Sequence, residues 1–193
     1  MEAPVFRDIS ANMQQVMREL EEQTERDQRS LRSVFTDVGR CLSLLAMSAP
    51  QGAFLELGSS GGYSSLWLSL AVRAKGVTLT TVDLDETKVA LARENISRAG
   101  AGGSVQVFHG DALDYATRFE EIAFCFSDIE PPEANAQVYE KVVPRLVPGG
   151  WLVIDNVTSP RIQKELLNRA ETDPRVDSVL LPFPKGDLIC RKI

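Results

Sequence analysis

The chain has 193 residues, 44% hydrophobic and 25% charged, with 27 acidic against 21 basic side chains and a net charge of −6. That size predicts one domain able to bury its own core without a disulfide or metal staple. The acidic balance excludes the basic footprint of a nucleic-acid binder and makes anionic membranes poor partners.

No apolar run approaches the ~20 residues of a membrane span, and MEAPVFRDIS lacks the basic and apolar regions of a signal peptide. Cys41, Cys125 and Cys190 lie far apart in apolar stretches, so reduced core thiols in a cytoplasmic protein are expected. The single histidine, His109, removes His-rich zinc sites.

Residues 8–48 carry helical periodicity. Ile9, Met13, Val16, Met17 and Leu20 recur at three- and four-residue steps beside Glu19, Glu21 and Glu22. Leu31, Val34, Phe35, Val38, Leu42 and Leu45 repeat the pattern and stop before Pro50. From residue 53 short apolar runs alternate with amphipathic segments. Strands are expected at Ala53–Leu57, Val77–Leu84, Ser104–Phe108, Ile122–Ser127, Trp151–Ile154, Val176–Phe183 and Leu188–Lys192. Helices are expected at 63–73, 86–99, 134–146 and 160–171, with a weaker one near 112–120.

Strands without in/out alternation, separated by helices, make a mostly parallel sheet covered on both faces. The last two runs are divided only by Pro184-Lys185-Gly186-Asp187, which predicts an antiparallel C-terminal hairpin. The expected fold is a doubly wound α/β protein with a seven-stranded sheet. A helical segment over residues 1–50 would pack on a cofactor-binding domain over 51–193.

In such sheets the ligand sits at the carboxyl ends of the strands, near the switch point. The first strand runs into Glu56-Leu57-Gly58-Ser59-Ser60-Gly61-Gly62-Tyr63-Ser64, where glycines permit a tight turn and close approach to a ligand. Asp83 lies 25 residues after Gly58, at the end of the second strand, where a carboxylate can accept both hydroxyl hydrogens of a ribose. The nicotinamide fingerprint needs glycines at the first, third and sixth positions, but here these are Gly58, Ser60 and Tyr63. Glu56 beneath the loop is electrostatically wrong for a pyrophosphate and tolerable for a cation such as S-adenosylmethionine. The bland alternative is a strand–helix turn that binds nothing.

Glu56-Leu57-Gly58-x-x-x-Gly62-Tyr63-Ser64 resembles the first motif of the metal-dependent, S-adenosylmethionine-dependent O-methyltransferases, the catechol and caffeoyl-CoA O-methyltransferase family. The likeness continues through Val82-Asp83, Gly110-Asp111-Ala112, Asp128, the segment Leu146 to Val157 with its Pro148-Gly149-Gly150 turn and Asp155-Asn156-Val157, and Gly186-Asp187-Leu188. It covers about residues 52–193 and implies a Rossmann-like methyltransferase fold.

By this resemblance Gly58, Ser60 and Ser64 take the amino-acid end of the cofactor, with Glu56, Gly62 and Tyr63 in the same motif. Asp83 would hold the ribose and Leu84 would pack on the adenine, whose edge would meet Asp111 and Ala112. Asp128 would touch the cofactor, take the catalytic role and ligate a divalent cation, Mg²⁺ above others, together with Asp155 and Asn156. The implied activity is methyl transfer to a hydroxyl of a small molecule, and the resemblance also admits a homodimer.

Asp128 ends the fourth strand and Asp155-Asn156 the fifth, so neighbouring strands would bring two carboxylates and an amide oxygen together. Such a set leaves room for water and a bidentate substrate on Mg²⁺. The alternative is a strand-end acid beside an Asx turn ahead of Pro160.

The family commonly has a lysine base three residues after the first ligand, and here that residue is Pro131, within Asp128-Ile129-Glu130-Pro131-Pro132-Glu133. Lys141 falls on the following helix, and Glu130 and Glu133 are better suited to stand behind a ligand than to act as base. This departure keeps open a metal-independent methyltransferase acting on nitrogen, carbon or a protein side chain. A cofactor-binding module without catalysis also stays open, with a nicotinamide oxidoreductase the most distant alternative. His109 reads as a hydrogen-bonded strand-end histidine, Trp67 and Tyr139 as core, and the acidic helix at 18–27 as a solvated face, a lid or a dimer arm.

Overall fold

The structure is a computed structural model that describes residue 6 and residues 9–27, 31, 33–158 and 164–193. The expected helical starts at residue 8 and over 160–163 lie outside the described residues. The elements are α1 (Ala11–Arg26), α2 (Thr36–Ser48), β1 (Ala53–Leu57), α3 (Tyr63–Lys75), β2 (Leu79–Asp83), α4 (Glu86–Arg98), β3 (Val105–His109), α5 (Ala112–Tyr115), β4 (Ile122–Ser127), α6 (Asn135–Val142), β5 (Leu146–Ile154), α7 (Lys164–Thr172), β6 (Val176–Leu181) and β7 (Asp187–Lys192). The strands form a seven-stranded sheet in the order β3-β2-β1-β4-β5-β7-β6, mostly parallel and closing on antiparallel strands. Among the described residues no helix is long and apolar enough to cross a membrane.

The chain divides into two compact units, Met1–Ser48 with Ser59–His109, and Ala49–Gly58 with Gly110–Ile193. In the first, β2 and β3 pair in parallel from Leu79↔Val105 to Asp83↔His109. Ser10 caps α1 by accepting from Met13 N at 3.2 Å, and the helix buries Met13, Val16, Met17 and Leu20. This apolar face packs on α3 and α4, while Arg98 pairs with Glu19 at 2.5 Å. Helix α3 is buried from Tyr63 through Val72, so it shows little amphipathic contrast. Where α2 meets α3, a Cβ on Gly39 would stand 2.2 Å from Trp67 Cδ1, so only glycine admits the indole.

The second helix begins at Thr36 and not at Leu31. Leu31 and Val34 are buried from a non-helical segment, whereas Phe35 is 53% exposed, so the apolar spacing there reports burial without helix.

In the second unit β1 and β4 run parallel with Leu57 opposite Ser127, and β4 and β5 run parallel with Ser127 opposite Ile154. The antiparallel pairs β5–β7 and β6–β7 form the expected hairpin end. Strand β5 starts at Leu146, earlier than the expected Trp151, because Leu146 already pairs with Ile122 before a register shift to Trp151 opposite Phe124. Gly149 (φ 78°) and Gly150 make that irregularity possible, since a Cβ on Gly150 would lie 2.9 Å from Ile122 O. The helix expected to reach residue 146 therefore stops at Val142 and ends in a 3₁₀ turn, Val143–Arg145. The weak helix near 112–120 is the single turn α5.

Candidate active site

The glycine loop of the first unit is built by short backbone bonds. Ser59 N donates to Val82 O at 3.2 Å and Gly62 N to Ser59 O at 2.8 Å. Gly62 then opens α3 in the left-handed region, at φ 89°. Asn95, on α4, donates its Nδ2 to Gly61 O at 3.0 Å and holds the loop from the side.

The loop and the second strand meet as expected. Ser60 N donates to Asp83 Oδ2 at 2.9 Å and Asp85 N to Asp83 Oδ1 at 3.0 Å. Each oxygen keeps further acceptor capacity, so the carboxylate is oriented yet still able to receive ribose hydroxyls. Leu84, next in the chain, is 68% exposed, as a platform for a planar base would be. His109 Nε2 hydrogen-bonds Leu84 O at 3.0 Å, a strand-end task.

Tyr63 does not turn its side chain to a ligand. Its hydroxyl donates to Glu21 and lies 3.3 Å from the Thr36 hydroxyl, and its ring packs edge-on against Trp67. Burial pushes the phenol up to about 12. The phenol thus ties α3 to α1 and to the start of α2. Ser64 beside it is also buried.

The second unit holds the acidic cluster, at the switch point between β1 and β4. Asp128 N donates to Leu57 O and Asp155 N to Ser127 O, both at 2.9 Å, so the two acids stand one residue beyond adjacent strands. Gly58 (φ 97°) passes so close that a Cβ there would lie 2.3 Å from Asp128 O. Asn156, at φ 65°, donates its Nδ2 to Asp128 Oδ1 at 2.5 Å, and its backbone N–H reaches Asp155 Oδ1. The structure therefore brings together all three expected ligand residues. Glu56 lies fully buried in β1. Asp111 is exposed and caps α5 by accepting from Leu113 N at 2.6 Å, with Ala112 opening that helix.

Sequence reasoning missed Asp187 and Lys185 as members of this cluster. Asp187 is 2% exposed, its carboxyl hydrogen-bonds that of Asp155, and its Oδ1 is buried with no hydrogen-bond partner among the described residues. An acid opening the apolar run Leu188-Ile189-Cys190 was the available signal. The positive charge of Lys185, in the β6–β7 turn, acts on both Asp128 and Asp155.

Burial pushes all three aspartates above the ordinary carboxylate range, and the Asp155 charge adds to the effect on Asp128 and Asp187. Among the described residues no three His, Cys, Asp or Glu side chains converge closely enough to chelate a cation by themselves. A hard cation would thus need the Asn156 amide, whose oxygen faces Asp128 after a half-turn, and water. The donor chemistry fits: carboxylates crowded out of water against one another, one buried oxygen left unbonded, and an amide already in contact.

A methyltransferase domain family matches residues 55–157. A catechol O-methyltransferase of Niastella koreensis is 31% identical over 149 residues, covering 75% of this chain and 65% of that protein. A Mycobacterium sp. (strain KMS) protein assigned as an O-methyltransferase is 33% identical over 166 residues, covering 77% of this chain and 74% of its own length. Among solved structures, the Bacillus cereus O-methyltransferase in complex with S-adenosylhomocysteine superposes with a TM-score of 0.80 at 24% identity, covering 93% of this chain and 91% of that one. That likeness supports the Rossmann-like methyltransferase fold. The chain belongs to this methyltransferase-domain family, and its curated relatives set it among the O-methyltransferases.

Proposed function

We propose that the chain transfers a methyl group from S-adenosylmethionine to a hydroxyl of a small-molecule acceptor, assisted by a divalent cation. The observation that carries this reading is the convergence of Asp128, Asp155 and Asn156 at the ends of adjacent strands β4 and β5. Asp83, oriented by two backbone N–H groups, would take the ribose hydroxyls, with Leu84 against the adenine. The backbone at Gly58, Ser60, Gly62 and Tyr63 and the side chain of Ser64 would receive the amino-acid end.

Methyl transfer is an in-line displacement at a sulfonium carbon, so the protein mainly aligns the reactants and excludes water. Asp128, Asp155 and Asn156 would hold the cation, which lowers the pKa of a hydroxyl next to it. Asp128 and Asp155 are each anchored through the backbone N–H to the neighbouring strand, which fixes where their carboxylates start. Pro131, in a segment with no lysine, favours a second reading in which the same scaffold methylates without a cation.

Calorimetric titration with S-adenosylhomocysteine, in chelator and then with excess Mg²⁺, separates these readings. Asp83→Ala is expected to lower nucleoside affinity about 100-fold, the loss of a charged pair of hydrogen bonds. Asp155→Ala is expected to spare nucleoside binding and abolish the Mg²⁺ response. Equal losses in both variants would sink this division of roles, and nucleoside binding without any Mg²⁺ response would favour the cation-free reading.

A further inference from the structure

The peptide between Gly61 and Gly62 is pinned at both of its polar atoms. Its N–H donates to Ser59 O at 2.8 Å, and its carbonyl, that of Gly61, accepts from Asn95 Nδ2 at 3.0 Å. Two adjacent glycines carry no Cβ, so local sterics leave this plane free to turn. Its orientation decides which polar atoms the loop presents beside Ser60, whose N–H already holds Asp83 at 2.9 Å. The restraint comes from α4.

An asparagine amide can turn either its oxygen or its nitrogen toward a neighbour, and only the nitrogen serves a carbonyl. Arg98, three residues farther along α4, decides between them. A guanidinium has donors and no acceptor, and its Nη1 donates to Asn95 Oδ1 at 3.3 Å, so the amide nitrogen is left for Gly61. The other terminal nitrogen of Arg98 donates to Glu19 Oε2 on α1 at 2.5 Å. The two residues after Glu19 meet the same loop. A Cβ on Gly61 would stand 3.0 Å from Leu20 Cδ2, and Glu21 accepts from the hydroxyl of Tyr63, the residue after Gly62. Glu22, by contrast, pairs along its own helix with Arg26 at 3.2 Å. Glu19 and Glu21 thus serve as struts from α1 to α4 and α3.

We propose that Glu19, Leu20 and Glu21 of α1 are positioning residues for the cofactor, acting through Arg98, Asn95 and Tyr63 to hold the Gly61–Gly62 peptide in its receptive orientation. This rests on the methyl-donor reading above and deepens it, because this loop is where the amino-acid end would bind. Coupling of this kind is reciprocal, so a cofactor that selects the pinned loop also holds α1 in place.

The test pairs calorimetric titration with S-adenosylhomocysteine and amide hydrogen exchange over α1. Asn95→Leu leaves the buried Gly61 carbonyl without its donor and is expected to weaken binding about tenfold, as the receptive loop becomes a minor state. Glu19→Ala, which breaks only a half-exposed ion pair, is expected to weaken it about threefold. Tyr139→Phe, a destabilised control in the second unit, is expected to bind as the wild type does. At saturating S-adenosylhomocysteine the α1 amides of the wild type are expected to exchange about tenfold more slowly, and those of Glu19→Ala only about threefold. Wild-type affinity in Glu19→Ala and in any folded Asn95→Leu, an equal loss in Tyr139→Phe, or α1 exchange indifferent to the ligand overturns the proposal and leaves the methyl-donor reading standing. Failure of the wild type to bind S-adenosylhomocysteine overturns that reading and the proposal with it.

Discussion

Two groups of buried aspartate in the second unit have opposite electrostatic fates. Asp173, 3% exposed, receives two contacts from Arg175 Nε, at 2.9 and 3.1 Å, and one from an Arg175 terminal nitrogen at 2.6 Å. The Arg175 backbone N–H and the Tyr139 hydroxyl add bonds at 3.0 Å each. This holds Asp173 well below the ordinary carboxylate range, with the Arg175 hydrogen bonds the largest cause. Asp155 and Asp187 are about as buried, but each has another carboxylate for its neighbour, and burial pushes both upward. The first group is a structural tie joining α6 to the turn before β6. The second is an acid site short of positive charge, the condition in which a cation or an ammonium finds its place.

The largest effect is expected from breaking the satisfied group. Arg175→Met removes the guanidinium and leaves Asp173 with the residue-175 backbone N–H, the Tyr139 hydroxyl and Arg169 at 3.8 Å, and about 3 kcal/mol of unfolding free energy should be lost in urea titrations at pH 7. The same experiment across pH sharpens the contrast. Asp173 has a lowered folded pKa, so its stabilisation is complete above the ordinary value of 3.8 and is lost as pH falls below it. Asp128 and Asp187 are raised, to about 7 and about 8, so between 3.8 and those values the folded state binds more protons than the unfolded chain. Stability should therefore fall as pH rises through that window in cation-free buffer. Urea midpoints are expected to be highest close to the ordinary value of 3.8, where the Asp173 gain ends and the Asp128 and Asp187 loss begins, and lower at pH 2 and pH 8; a flat profile would dissolve the contrast.

Tyr139→Phe is a smaller test of the tie. It removes one bond to a charged acceptor and should cost about 1.5 kcal/mol, read from the same midpoints. Asp187→Asn works in the other direction. It keeps a hydrogen bond to Asp155 while removing a charge, so in chelator it should raise the melting temperature about 2–4 °C at pH 8. At pH 5, where Asp187 is already protonated in the fold, it should change little. Equal shifts at both pH values would mean that Asp187 is not part of the repelling set.

Much of this arrangement was legible in the chain itself. Apolar runs spaced by amphipathic segments placed the strands of the parallel sheet, because a strand buried on both faces cannot alternate. Glycines at 58, 61 and 62 with an acid at 83 marked a nucleoside-type loop, and the Ser60–Asp83 bond now joins them. The pairing of Asp128 with Asn156 followed from their strand-end positions. The Tyr63 hydroxyl is claimed by Glu21, forty-two residues earlier, a partner that no local spacing reveals.

Local sequence by itself determined the order of strands and helices, though not every boundary, and which residue types lie at strand ends, since periodicity and glycine conformations are local properties. Only the tertiary structure decided which acid is matched and which is stranded. Asp173 and Asp187 look alike in the chain, and both are buried. Their difference is made by what arrives from elsewhere in space: the Tyr139 hydroxyl added to the adjacent Arg175 in one case, and the Asp155 carboxyl in the other. Electrostatic energy depends on distance in space and on exclusion of water, and neither is written in the order of residues.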